Sequence, residues 1–179
     1  MRNVFQCLDR GIGRHHKHKV QFVKGVLVVM VHIVREDLWQ HPGNPGMIVV
    51  STNSTIKTNG VLVMGRGAAL QAKEHIPGID EECGAAVKKG GTSYGFLVIR
   101  EPTETVAGFG IFQVKQHYSN IADVRLIESS VAKLLEYTIV HPRVRVRMNF
   151  PGIGYGRLDR DVVRPLLEKL PDSVTICYK

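Results

Sequence analysis

The sequence predicts an α/β fold in which helices cover both faces of a single sheet, and three observations carry that prediction. Short β-branched runs bounded by glycine and proline recur along the chain, as buried strands do. Apolar residues at helical spacing fill intervals between them. No internal repeat or low-complexity linker interrupts the alternation, so one layered domain accounts for it.

The first strand signal is VLVVMVHIV, residues 26–34, and MIVVS at 47–51 is the second. GFLVI (95–99), GIFQVK (110–115), RVRVRMNF (143–150) and SVTICYK (173–179) continue the series. In RVRVRMNF, Arg143, Arg145 and Arg147 alternate with apolar residues, which predicts one polar face and hence an edge or the end of a strand. AALQAK, residues 68–73, starts a short helix. Val124, Ile127, Val131, Leu134, Leu135 and Thr138 share one face of a helix that begins near Asp123 and stops before Pro142. Val162, Val163, Leu166, Leu167 and Leu170 do the same after Asp159, where Pro165 either distorts the helix or sits near its first turns.

Composition and charge exclude several classes of function. At 179 residues, with 44% hydrophobic and 22% charged residues, the chain has the balance of a soluble globular protein. The apolar stretch at 26–34 is too short to span a bilayer and lacks a cleavage site, so a cytoplasmic location without a membrane partner is expected. Cys7, Cys83 and Cys177 are far apart with no CxxC pair, which supports neither a disulfide framework nor a zinc site. Of the formal net charge of +8, residues 1–25 carry +5, from Arg2, Arg10, Arg14, Lys17, Lys19 and Lys24 against Asp9. That segment has no clear period and is read as a flexible basic extension, with the domain proper at 26–179. His15, His16 and His18 lie among lysines that repel a cation, so no metal is expected. The oligomeric state has no signature in the sequence.

In a sheet of this kind ligands collect where loops leave the carboxyl ends of strands. Two such loops are rich in glycine. STNSTIKTNGVLVMGRG follows MIVVS and ends with Gly65 and Gly67 before AALQAK, while PGIGYGRL follows RVRVRMNF and holds Gly152, Gly154 and Gly156 before Asp159. Each brings backbone N–H groups to a helix start, where unpaired donors and the helix dipole suit a phosphate, and two such loops together could clamp a diphosphate. No P-loop is present, and GRGAAL matches a dinucleotide fingerprint only weakly, so no cofactor is expected.

VREDLWQ (34–40), VVSTNSTIKTNGVLVMGRGAALQAK (49–73), IFQVKQHY (111–118) and PGIGYGRLDRDVVRPLLEKLPDSVTICYK (151–179) resemble, in order, the signature segments of a macro domain. MGRGAALQAK is similar to the corresponding segment of the terminal ADP-ribose glycohydrolases and of the DNA ADP-ribosyl glycohydrolase antitoxins, with phage and bacterial macro domains close to it as well. The resemblance implies a three-layer α/β/α sandwich with a mixed central sheet and a cleft for ADP-ribose. It implies that Asp37 accepts a hydrogen bond from the adenine amino group with the Leu38 backbone beside the base, although Glu36 stands where the family has glycine. Asn53 falls where an asparagine approaches the distal ribose. Gly65 and Gly67 let the backbone approach the diphosphate and ribose, and Gly152, Ile153, Gly154, Tyr155 and Gly156 form the opposing loop, with Tyr118 a candidate for the rim. Lys73 is the candidate catalytic amine near the anomeric carbon, and Asp159 its candidate carboxylate partner. An exposed helix lysine and an ordinary N-cap aspartate are the competing readings of these two.

These readings predict a hydrolase that removes ADP-ribose from a protein side chain, a nucleobase or a 1''-phosphate. ADP-ribose, or ADP-ribosylated protein or nucleic acid, is then the partner. The alternatives are a reader that binds ADP-ribose without turnover and a basic nucleic-acid module, the latter poorly served by one tryptophan and scattered arginines.

Overall fold

The computed structural model describes residues 20–23, 26–29, 31–40, 46–91 and 94–179. In chain order the elements are β1 (Val20–Val23), β2 (Val26–Val29), β3 (His32–Val34), β4 (Met47–Asn53), α1 (Gly67–His75), α2 (Ile79–Gly90), β5 (Phe96–Arg100), β6 (Gly108–Lys115), α3 (Val124–Val140), β7 (Val146–Asn149), α4 (Arg160–Leu167) and β8 (Val174–Cys177). A short 3-10 turn, Gly154–Gly156, precedes α4.

Six strands form one mixed sheet in the order β3-β8-β7-β4-β6-β5. Every neighbouring pair is parallel except β5 with β6. Alternation along β4 divides the core: Met47 and Val49 pack with α3 and α4 through Ile127, Leu134, Val163 and Leu167, while Ile48 and Val50 pack with α1 and α2 through Ala72, Ile79, Cys83 and Val87. Helices on both faces therefore complete the expected three-layer sandwich with a mixed sheet.

Three sequence readings need correction. The 26–34 run is not one strand: among the described residues β2 pairs with β1 in a two-stranded antiparallel sheet, and β3 joins the main sheet. The basic extension assigned to residues 1–25 lies outside the described residues apart from Val20–Val23, which are strand rather than irregular chain. Of the two readings of RVRVRMNF, the edge is excluded, since β7 lies between β8 and β4, while the end of a strand agrees with Arg143 and Arg145 falling just before β7. Its charged face is accommodated because Arg143 and Arg145 precede the strand and Arg147, largely buried, finds partners in the loop after β3. Pro165 does lie inside α4, and Val162 on the same helix faces solvent rather than core.

Helix α2 was not anticipated. Its signals are present: Asp80, Glu81 and Glu82 in the first turn, Lys88 and Lys89 in the last, and Ile79, Cys83 and Val87 buried at a spacing of four. Among the described residues no helix is long and apolar enough to cross a membrane.

Candidate functional site

The carboxyl ends of β4, β6 and β7 open into a cleft of about 680 Å³. Its walls are the two glycine loops. On one side lie Gly65, Arg66 and the first turn of α1; on the other lies the segment from Gly152 to Arg157.

Helix α1 begins without a cap. Arg66 occupies the N-cap position in extended backbone (φ −152°), makes no side-chain capping bond, and no acidic residue follows in the first turn. Gly67, Ala68 and Ala69, which carry the first-turn amides, all line the cleft. An anion there meets both free donors and the positive end of the helix dipole. Opposite, Gly152 adopts φ +75°, and a Cβ on it would lie 2.8 Å from Ile127 Cδ1, so only glycine lets the chain pass between α3 and the cleft. The loops meet at the rim, where the Arg66 guanidinium carbon lies 5.0 Å from the centre of the Tyr155 ring.

The floor is polar and cross-braced. Asn149 at the end of β7 donates from Nδ2 to Ser51 Oγ (2.7 Å) and accepts from the Ser51 amide (2.8 Å). Asn53 is committed to its own loop: Nδ2 donates to the Val63 carbonyl (2.7 Å) and Oδ1 accepts from the Thr55 amide (2.8 Å). Thr52 Oγ1, by contrast, is buried with no hydrogen-bond partner among the described residues, although Thr52 lines the cleft.

The charge in the cleft is one-sided. Arg66, Lys115 and Arg157 line it, and no carboxylate does among the described residues. Lys115, the last residue of β6, donates from Nζ to the carbonyls of Asn120 (3.1 Å) and Tyr155 (3.3 Å). Burial, and then the Arg157 and Arg66 charges, lower its pKa below the ordinary lysine range, because each disfavours the protonated form.

Of the residues singled out from sequence, Asn53, Gly65, Gly67, Gly152, Ile153, Gly154, Tyr155, Gly156 and Tyr118 line this cleft. Lys73, Asp159, Asp37 and Leu38 do not. Lys73 Nζ pairs with Asp80 Oδ2 at 2.9 Å, tying α1 to α2. Asp159 is the exposed N-cap of α4 and accepts from the Asp161 amide at 2.9 Å. Asp37 lies beyond β3, accepting from the Trp39 amide (3.0 Å) and from Lys179 Nζ (2.9 Å), two bonds that lower its pKa. Leu38 beside it is buried. Lys115, Asn149, Thr52, Arg66 and Arg157 had been given no role. Their signal was position, since Lys115 and Asn149 are the last residues of strands at the ligand-binding end of the sheet.

No family model and no curated protein matches the sequence. Solved structures do. The chain is similar to the macrodomain of Mycobacterium tuberculosis DarG (TM-score 0.66, 23% identity, 83% of this chain and 97% of that one). It is also similar to the macrodomain of Thermus aquaticus DarG (TM-score 0.66, 24% identity, 84% of this chain and 98% of that one). Thermosipho africanus DarTG, solved in complex with ADP-ribose, matches with a TM-score of 0.61 and 24% identity over 74% of this chain and 37% of that one. The mixed six-stranded sheet between two helical layers and these likenesses agree: the chain has the macrodomain fold.

Proposed function

We propose that the cleft binds ADP-ribose and removes it from a modified acceptor, with Lys115 supplying the amine. The observation that carries this reading is the meeting, in one cleft without carboxylates, of the uncapped start of α1 and the Lys115 amine. The helix start and the two glycine loops suit the diphosphate. The solved complex of Thermosipho africanus DarTG with ADP-ribose, on the same fold, supports the choice of ligand.

Turnover requires that the bond from the anomeric carbon to the acceptor break, that water supply hydroxyl to that carbon, and that the water's proton pass to the acceptor. Burial and the Arg157 and Arg66 charges favour the neutral form of the Lys115 amine, whose lone pair can act as a nucleophile at that carbon or as a base toward the water. Asp159 caps α4 outside the cleft and is given no part in this step. Chelator should leave binding unchanged, since the cleft donors are backbone amides and side chains without a ligand set for metal.

Calorimetric titration with ADP-ribose, followed by release assays on glutamate-linked and thymidine-linked substrates, tests the reading. Binding with release supports the hydrolase. Binding without release on any substrate makes the chain a reader, and no binding removes the proposal.

A further inference from the structure

We infer that Gln113 is a positioning residue for the Lys115 amine: through Ser54 it holds the bulge at the end of β6 from which that side chain enters the cleft. This rests on Lys115 as the reacting group proposed above, although neither Gln113 nor Ser54 lines the cleft.

Along β6, Phe109 and Ile111 pack toward α1 and α2, while Phe112 and Val114 pack toward α3 and α4. Simple alternation would send Lys115 the way of Phe109 and Ile111, away from the loops that precede α3 and α4. The register shifts instead. Thr52 pairs with Gln113 and Asn53 with Lys115, passing over Val114, and Val114 and Lys115 both line the cleft. A bulge re-aims a side chain in this way and disrupts the ladder, so the freed carbonyls need other partners. Side chains and loop amides supply them. The carbonyls of Gln113, Val114, Lys115 and Gln116 accept, in turn, from Ser130 Oγ (2.7 Å), the Asp123 amide (2.8 Å), Ser54 Oγ (3.4 Å) and the Ser54 amide (3.0 Å). Gln113 sits at the centre of this set and is 1% exposed. Its Oε1 accepts from the Gly95 amide (2.8 Å), and its Nε2 donates to Ser54 Oγ (2.7 Å). The Ser54 hydroxyl therefore spends its acceptor on Gln113 and turns its proton to the Lys115 carbonyl. A buried amide satisfied at both ends has one orientation, and it passes that orientation through the hydroxyl to the backbone that carries the amine.

The test compares wild type with Ser54→Ala, Ser54→Thr, Gln113→Met, Lys115→Ala and Lys115→Ala/Ser54→Ala. Binding of free ADP-ribose, release from thymidine-linked and glutamate-linked ADP-ribose, and the NMR titration midpoint of ¹³C-methylated Lys115 are measured in each protein that carries the group. Ser54→Ala keeps the amide bond to Gln116 and loses only the hydroxyl link. It and Gln113→Met should bind ADP-ribose within about 2-fold of wild type while release falls about 10-fold, as for a misplaced reacting group. Their Lys115 midpoint should rise toward that of the surface lysines, since the amine leaves a site where burial, Arg157 and Arg66 all disfavour its charge. Ser54→Thr, which restores a hydroxyl, should recover both readouts. The double variant should release no more slowly than Lys115→Ala, because Ser54 acts through the amine. If Gln113→Met does not fold cooperatively, Ser54→Ala decides. An unchanged Lys115 midpoint in Ser54→Ala, binding and release lost together, or additive loss in the double variant would overturn the inference. Wild type that fails to bind or to release ADP-ribose would remove the function proposed above, and the midpoints alone would then decide the inference.

Discussion

Lys115 Nζ donates to the Tyr155 carbonyl at 3.3 Å, joining the carboxyl end of β6 to the glycine loop that follows β7. The same amine donates to the Asn120 carbonyl five residues on, so the loop after β6 and the glycine loop after β7 both hold one nitrogen. A rigid strand end holds the side chain, and two loops aim it. This is the arrangement expected of a reacting group, fixed by its supports rather than by its own stem.

Lys115 should titrate below the other lysines. Burial and the Arg157 and Arg66 charges all disfavour the ammonium form, so removing one cation must move the pKa back up. Reductive ¹³C-methylation read by NMR should give one lysine with a low midpoint in wild type and a higher one in Arg157→Gln. On the proposed mechanism the neutral amine is the working form, so turnover should rise with pH through that midpoint and level off above it. A Lys115 resonance that titrates with the surface lysines would rule this out.

Lys73→Ala should leave ADP-ribose affinity and turnover within several-fold of wild type. Its ion pair with Asp80 joins two helices at a partly exposed site, so solvent screening limits the loss of stability to about 0–1 kcal/mol. Denaturant unfolding beside a release assay checks both halves, and a large drop in turnover would return the catalytic amine to Lys73.

Gly152→Ala should destabilise the fold by about 1–3 kcal/mol, because a positive φ is strained for alanine and the new Cβ meets Ile127 and Leu158. Gly65→Ala serves as control. Gly65 has open space around its Cβ direction and should tolerate the change. Equal unfolding midpoints for the two variants would contradict the close approach at Gly152.

The layers and the cleft walls were legible in the sequence because both arise locally. β-branched runs, the α3 period and glycines before helix starts are visible within a few residues. Other differences between sequence and structure concern long-range partners. Arg147 looked like an edge residue because alternation reports a polar face without reporting what covers it, here the carbonyls of Asp37 and Leu38 more than a hundred positions away. Lys73 and Lys115 are equally plausible as letters. Only packing shows that one finds Asp80 while the other turns into the cleft. Asn53 lines the cleft, yet its amide is spent bracing the loop to Val63 and Thr55.

The most direct measurement is ADP-ribose release by Lys115→Ala, alongside wild type and Lys73→Ala, with binding of free ADP-ribose followed in each. If backbone donors hold the diphosphate, as proposed, Lys115→Ala should bind ADP-ribose within several-fold of wild type while release falls by roughly two orders of magnitude or more. Lys73→Ala should release at close to the wild-type rate. Release by Lys115→Ala at the wild-type rate would contradict the account.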